Sequence, residues 1–231
     1  MQLFFSENTN NNFTLSPEES KHIIKVLRKK EGDIIHFTDG KGNLLISEII
    51  TSHIKKTQVR IIEKISKEKK HNYYLHIAIS PTKNIDRFEW FLEKSCEIGI
   101  DEITPLICDR SERKFIKLNR SNRILLSAMK QSLKYNLPKL NEPIPFLNFI
   151  NEKHKEQKFI AHCQNKTKIN LKSQEIEKNI LVLIGPEGDF SPNEINKAIN
   201  NKFTPISFGE SRLRTETAGV LATSIINLKN W

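Results

Sequence analysis

The sequence predicts an α/β protein: a mainly parallel sheet preceded by a small all-β barrel. Three observations carry that prediction. From residue 73 onward, short apolar runs alternate with amphipathic helical stretches, the order that lays helices on a parallel sheet. Within that region Ile180-Leu-Val-Leu-Ile184 is an unbroken apolar run closed by Gly185, the pattern of a strand buried on both faces. Residues 1 to about 65 instead hold several short strands and one short helix, too little helix for the same architecture.

In the amino-terminal part, Ser16-Pro-Glu-Glu19 is a capping-box signature opening a short helix with Ile23, Ile24 and Leu27 on one side. Gly32-Asp33 ends it. Ile34 to Thr38 reads as a strand and Asp39-Gly-Lys-Gly-Asn43 as a hairpin turn, with Leu44 to Ile50 and Val59 to Ile65 as the strands that follow. Asn10-Asn-Asn12 reads as loop. Gly40-x-Gly42 is no dinucleotide turn, because no helix or third glycine follows. Ser66 to Asn72 is charged and has no apolar period, so it reads as a linker between a domain at 1–68 and one at 73–231.

The second domain starts with a strand, Tyr73 to Ile79. Asn84 or Asp86 caps a helix with Ile85, Phe88, Leu92 and Cys96 inward, and Gly99 stops it. Ile103 to Cys108 is the next strand, Asn119 to Lys134 a helix, and Phe159 to His162 a short strand. After Ile184, Gly185-Pro-Glu-Gly188 turns the chain; Ser191 then caps a helix with Pro192 first and Glu194 completing a capping box. Pro205 to Phe208 is another short strand, and Gly209 opens a second turn before the last helix near Thr215. Gly185 and Gly188 are expected to use backbone conformations closed to other residues and to let a ligand approach the main chain. Two such turns at strand carboxyl ends are where open α/β sheets bind ligands.

Composition narrows the function. In these 231 residues, 37% hydrophobic content with 28% charged residues excludes a disordered chain. No apolar run approaches the roughly 20 residues a bilayer span needs, and Met1-Gln-Leu-Phe-Phe5 turns polar too soon for a signal peptide. Cys96, Cys108 and Cys163 lack any Cys-x-x-Cys pair and read as reduced, buried thiols of a cytoplasmic protein without zinc. The seven histidines have no metal-ligand spacing. The absence of a Gly-x-Ser-x-Gly elbow and of a Gly-Lys-Ser/Thr phosphate loop argues against hydrolases and nucleotide triphosphatases. A net charge of +10 is either the footprint of a polyanion partner or lysine-rich drift in composition. Lys25, Arg28, Lys29, Lys30, Lys55 and Lys56 crowd the helix end and loops of the barrel, as an RNA-contacting face or as solvated lysines.

Arg214-Thr-Glu216-Thr217 admits two readings. Thr215 or Thr217 could cap the last helix, with Arg214 and Glu216 a surface ion pair. Alternatively the first turn's amides hold a small polar ligand, Arg214 grips a phosphate and Glu216 handles a proton.

Ile184-Gly-Pro-Glu-Gly-Asp-Phe-Ser-Pro-Asn-Glu-Ile195 and Phe208-Gly-Glu-Ser-Arg-Leu-Arg-Thr-Glu-Thr-Ala218 resemble the two signature loops of a SPOUT methyltransferase family, the ribosomal RNA small-subunit methyltransferase E family. His22-Ile-Ile-Lys-Val-Leu-Arg28 with Gly32-Asp33 resembles its PUA-like barrel. Glu97-Ile-Gly99, Ile103-x-Pro105 and Arg110-Ser111, followed by Gln131-Ser132 and Pro138, resemble its central signature. The chain departs from the family at Asp189, usually glycine, and at Lys130, commonly glutamate. It departs again at Glu210 and Ser211, often proline and arginine, with Arg212 one place later. The resemblance implies a deep trefoil knot in the carboxy-terminal α/β domain, a homodimer, and S-adenosylmethionine as methyl donor to N3 of a uridine in 16S ribosomal RNA. It implies that Ile184, Gly185, Pro186, Glu187, Gly188, Phe208, Gly209, Leu213, Arg214 and Thr215 hold the cofactor, without metal. Arg214 and Glu216 then become the catalytic candidates, Glu216 as base or as the group that fixes Arg214. Lys25, Arg28, Lys29, Arg110 and Arg113 become the RNA contacts. A knotted enzyme acting on a ribose 2′-hydroxyl or another base, and an inactive RNA-binding ribosome-assembly factor, are the alternatives.

Overall fold

In the computed structural model, which describes residues 2–67, 69, 71–164 and 167–230, the chain forms two units. The first is Met1–Lys70 with Met129–Leu137, the second His71–Ala128 with Pro138–Trp231.

In the first unit β1 (Leu3–Phe5), β2 (Asn12–Thr14), β3 (Ile34–Thr38), β4 (Asn43–Thr51) and β5 (Gln58–Ser66) make a five-stranded sheet in the order β1-β3-β4-β5-β2. β1 runs parallel to β3, and the other pairs are antiparallel. The two edge strands, three residues each, are too short for alternation to announce them. Phe4 from one edge and Phe13 from the other both meet the Phe37 ring, with centroids 5.6 and 5.4 Å away, so the sheet curls on itself. Leu15, Ile23, Ile35, Leu45, Ile49 and Val59 complete that core.

Helix α1 (Pro17–Lys21) is capped by Ser16, whose hydroxyl accepts the Glu19 N–H at 3.2 Å. It widens at once into a π-helical turn over His22–Val26. Gly32 does not end this helix, contrary to the sequence reading. Arg28 does, at φ 56°, with the Lys29 N–H donating six residues back to the Ile23 carbonyl at 3.1 Å, a Schellman-type closure. The Asp39–Asn43 turn is held by Tyr135 and Leu137. The Gly42 N–H donates to the Tyr135 carbonyl and the Leu137 N–H to the Gly40 carbonyl, both at 2.8 Å.

The second unit contains β6 (Tyr74–Ile79), α2 (Ile85–Ile98), β7 (Glu102–Ile107), α3 (Leu118–Gln131, whose last turn belongs to the first unit), β8 (Lys139–Leu140) and β9 (Ile144–Pro145). Then come α4 (Phe146–Ile150), β10 (Gln157–Ala161), β11 (Ile169–Asn170), β12 (Asn179–Ile184), α5 (Pro192–Asn200), β13 (Thr204–Ser207) and α6 (Thr215–Lys229). The strands form an eight-stranded parallel sheet, β11-β13-β10-β12-β6-β7-β8 with β9 also on β7. β12 lies inside it, and Ile180 to Ile184 are all buried. Asn84, not Asp86, caps α2, accepting the Asp86 N–H at 3.0 Å. Gly99 ends the helix at φ 141°. Cys96 and Cys108 are buried, but Cys163 is exposed, which corrects the expectation for that thiol.

Candidate active site

Every strand of a parallel sheet delivers its carboxyl end to the same edge, so the loops after β6, β7, β10, β12 and β13 gather there. The first glycine turn, after β12, is laced to its neighbours by hydrogen bonds from distant parts of the chain. Glu194 sits almost fully buried at the start of α5. Its Oε1 accepts the Asp109 N–H and its Oε2 the Ser191 N–H, both at 2.8 Å, while Ser191 Oγ donates to Asp109 at 2.6 Å. The capping box predicted at Ser191 thus also fixes the loop after β7. Arg110 Nη1 donates to the Gly188 carbonyl at 2.8 Å. Glu187 Oε1 accepts the Lys83 N–H at 2.9 Å, and Arg113 binds the Thr82 and Lys83 carbonyls at 3.0 and 2.7 Å.

Gly185 and Gly188 do not have positive φ, so their conformational freedom is not what this turn needs. Asp189 takes the left-handed corner instead, at φ 62°. Gly185 is favoured by space: a Cβ there would lie 3.0 Å from the Phe190 ring and 3.1 Å from its nitrogen, so Phe190 would have to give way. The second turn does need glycine, because Gly209 has φ 133° with open space where a side chain would point.

The two turns share one cavity of about 510 Å³. Ile184, Gly185, Pro186 and Glu187 form one wall, and Phe208, Gly209, Leu213, Arg214 and Thr215 the other. The buried Thr215 hydroxyl donates to the Gly185 carbonyl at 3.0 Å and ties the second turn to the first. Gly188 is not part of the wall; its carbonyl faces Arg110. A third wall that local patterning missed comes from Ala161, His162, Cys163 and Lys168, at the end of β10 and beyond. The signal for it was structural: β10 pairs with both β12 and β13, so its end must fall between the two turns.

Arg214 is exposed on the cavity wall and Glu216 is buried, 6% exposed, in the first turn of α6. No Arg214–Glu216 ion pair forms among the described residues. The partner of Glu216 is Arg87 on α2, whose Nε lies 3.7 Å from Oε1, and the buried Oε2 has no hydrogen-bond partner. Lys25 and Arg28 lie exposed in the first unit, where Lys29 stands 4.0 Å from Asp33.

A cavity of this size lies in the range of small-molecule sites. Ile184, Ile206, Leu213 and Ala218 supply the apolar part of its lining, and Lys168, Arg212 and Arg214 the basic part.

The family model described as an RNA methyltransferase domain matches residues 46–227, and one described as an RNA methyltransferase PUA domain matches residues 15–64. Ribosomal RNA small subunit methyltransferase E of Buchnera aphidicola is 30% identical over 221 residues, covering 93% of this chain and 87% of its own. The protein of that name from Mesomycoplasma hyopneumoniae is 31% identical over 227 residues, 95% of each chain. Among solved structures, one described as an rRNA-methyltransferase from Porphyromonas gingivalis superposes with TM-score 0.95 at 38% identity, over 100% of this chain and 98% of that one. Another, described as a methyltransferase from Legionella pneumophila in complex with bound SAM, gives TM-score 0.90 at 27% identity, over 99% and 98%.

Proposed function

The chain belongs to the RNA methyltransferases, in the family of ribosomal RNA small subunit methyltransferase E, and from that premise we propose that it methylates N3 of a uridine in 16S ribosomal RNA with S-adenosylmethionine as donor. One observation carries the assignment of the site: both signature turns open onto the same cavity, closed by the Thr215–Gly185 hydrogen bond.

Bound there, S-adenosylmethionine supplies a methyl group already activated on a sulfonium. The protein's part is to hold the acceptor in line and keep water out. Ile184, Gly185, Pro186, Glu187, Phe208, Gly209, Leu213 and Thr215 bind and orient the donor, and Gly188 acts indirectly by anchoring the turn. Uridine N3 carries a proton at neutral pH, and removing it spreads charge onto O2 and O4. Glu216 receives that proton or orients the base, and Arg214 steadies the developing oxygen charge or a neighbouring phosphate. The buried, unsatisfied Oε2 supports this role for Glu216.

The first unit serves RNA binding and the second methyl transfer. Lys25, Arg28 and Lys29 grip phosphates; Arg110 and Arg113, already bonded to carbonyls, keep further guanidinium N–H groups for the same purpose. We assign the second unit a deep trefoil knot, a reading supported by the family to which the chain belongs. A homodimer is supported by the exposed Trp90 on α2 and Leu228 on α6, and a cytoplasmic location by the ribosomal substrate. The test is transfer of labelled methyl from S-adenosylmethionine to 30S particles and to free rRNA, with the modified base mapped by mass spectrometry. Label on N3 of one uridine is expected. Label on a ribose, or binding without transfer, overturns the assignment.

A further inference from the structure

The residue at the left-handed corner of the first turn has a side chain where the family resemblance calls for glycine. That side chain does something a glycine cannot. Asp189 Oδ2 accepts the Cys163 N–H at 2.9 Å, 26 residues away in sequence, and Oδ1 accepts the Phe190 N–H at 2.9 Å. Its own N–H donates to the Pro186 carbonyl at 2.9 Å. Phe190 is fully buried and packs on Phe146 with ring centroids 5.4 Å apart, so the carboxylate starts from a fixed base. Cys163, by contrast, is exposed and lies just past the end of β10, on the cavity wall that neither glycine turn supplies.

We propose that Asp189 is a positioning residue that latches the β10 wall of the cavity to the first glycine turn and so holds the cavity in its binding shape. The inference deepens the assignment of that cavity to S-adenosylmethionine and rests on it. The physical case has two parts. A carboxylate accepting main-chain N–H groups makes stronger hydrogen bonds than a neutral acceptor. Aspartate also tolerates the left-handed region better than most residues, so the latch sits at this corner at little backbone cost. A wall held in place before the ligand arrives removes an ordering cost from binding.

Two substitutions separate the latch from the turn. Asp189→Gly keeps the corner, which glycine adopts freely, and removes both hydrogen bonds to the side chain. Asp189→Asn keeps the tolerance for positive φ but only one acceptor oxygen, so it can keep one of the two N–H bonds and sets its NH2 group against the other. In the ligand-free protein, hydrogen exchange of the Cys163 amide is expected to speed up about tenfold or more in Asp189→Gly and by no more than that in Asp189→Asn, the range expected when one charge-assisted bond is lost or weakened. By calorimetry, S-adenosylmethionine should bind Asp189→Gly about five- to twentyfold more weakly, with kcat at saturating donor within about twofold of wild type. Unchanged Cys163 exchange in Asp189→Gly overturns the latch, as does unchanged donor affinity. A wild-type protein that fails to bind S-adenosylmethionine would overturn the cofactor assignment instead, while the exchange measurement still decides the latch.

Discussion

Glu216 and Arg214 leave the same turn of chain and end in opposite environments. The arginine is exposed on the cavity wall; the glutamate is buried, with one oxygen 3.7 Å from Arg87 and the other without a partner. An unsatisfied buried carboxylate oxygen costs stability, which makes Glu216 a candidate for the proposed proton handling, although Thr215 and not Glu216 is the residue on the cavity wall. Glu216→Gln and Arg214→Lys are therefore expected to lower single-turnover methylation about 100-fold or more while leaving donor affinity within about twofold, the pattern of groups that act only in the transition state. Unchanged rates in both variants would remove them from the chemistry. Sequence spacing found the two turns because glycine, proline and capping residues are local signals. It did not foresee that the Gly188 carbonyl meets Arg110, 78 positions away, with Gly188 off the cavity wall. The partner it offered for Glu216, Arg214, gives way to Arg87, which reaches it from another helix.

At the scale of elements, long apolar runs and capped helices were legible: β12, α2 and α5 lie where periodicity and caps put them. Two-residue strands such as β8, β9 and β11 were not, because pairing in the folded sheet defines them rather than pattern. The contact of α2 with α6 is a case where packing reverses a propensity. Gly→Ala inside a helix ordinarily stabilises by about 0.5–1 kcal/mol. At Gly219, however, the new Cβ would sit 2.6 Å from the buried Phe91 ring. Gly219→Ala is expected to destabilise by about 1–3 kcal/mol, read from urea midpoints. The neighbouring strands β6 and β7 carry an acid sensitivity. Burial pushes His76 down to about 4 against the attraction of Glu102, and the His76 ring nitrogen meets Thr104 Oγ1 at 2.7 Å. Burial would raise Glu102, but hydrogen bonds from Asn141, Tyr74 and Lys139 outweigh it and hold the carboxyl down to about 2. Both shifts have one sign. The unfolded chain binds more protons, so stability falls as pH drops from 6.5 toward 4 through His76, and from 4.5 toward 2 through Glu102. His76→Gln, which keeps an acceptor for Thr104 and does not titrate, should recover about 1–2 kcal/mol of the stability lost between about pH 7 and pH 5. An identical loss in the variant would place the sensitivity elsewhere.

For the whole molecule the decisive quantity is the charge of +10, and composition alone could not say whether it has a use. The structure narrows the field by showing which cations are already occupied. Arg60 pairs with Glu48, Arg120 with Glu89, Lys130 with Glu19 and Lys139 with Glu102. Lys25 and Arg28, by contrast, are exposed and make no ion pair among the described residues. Arg28 is also held by the left-handed corner that ends its helix, at φ 56°, so its backbone is fixed before any partner arrives. A cation that neutralises an RNA phosphate releases counterions, and each such contact steepens the fall of affinity with salt by about 0.7–0.9 in the log–log slope. Replacing Lys25, Arg28 and Lys29 together by glutamine should therefore weaken rRNA binding and reduce that slope by about two to three, while calorimetry with S-adenosylmethionine stays unchanged. A slope that does not move would mean that this face of the first unit is merely solvated, and that RNA is held by other cations of the chain.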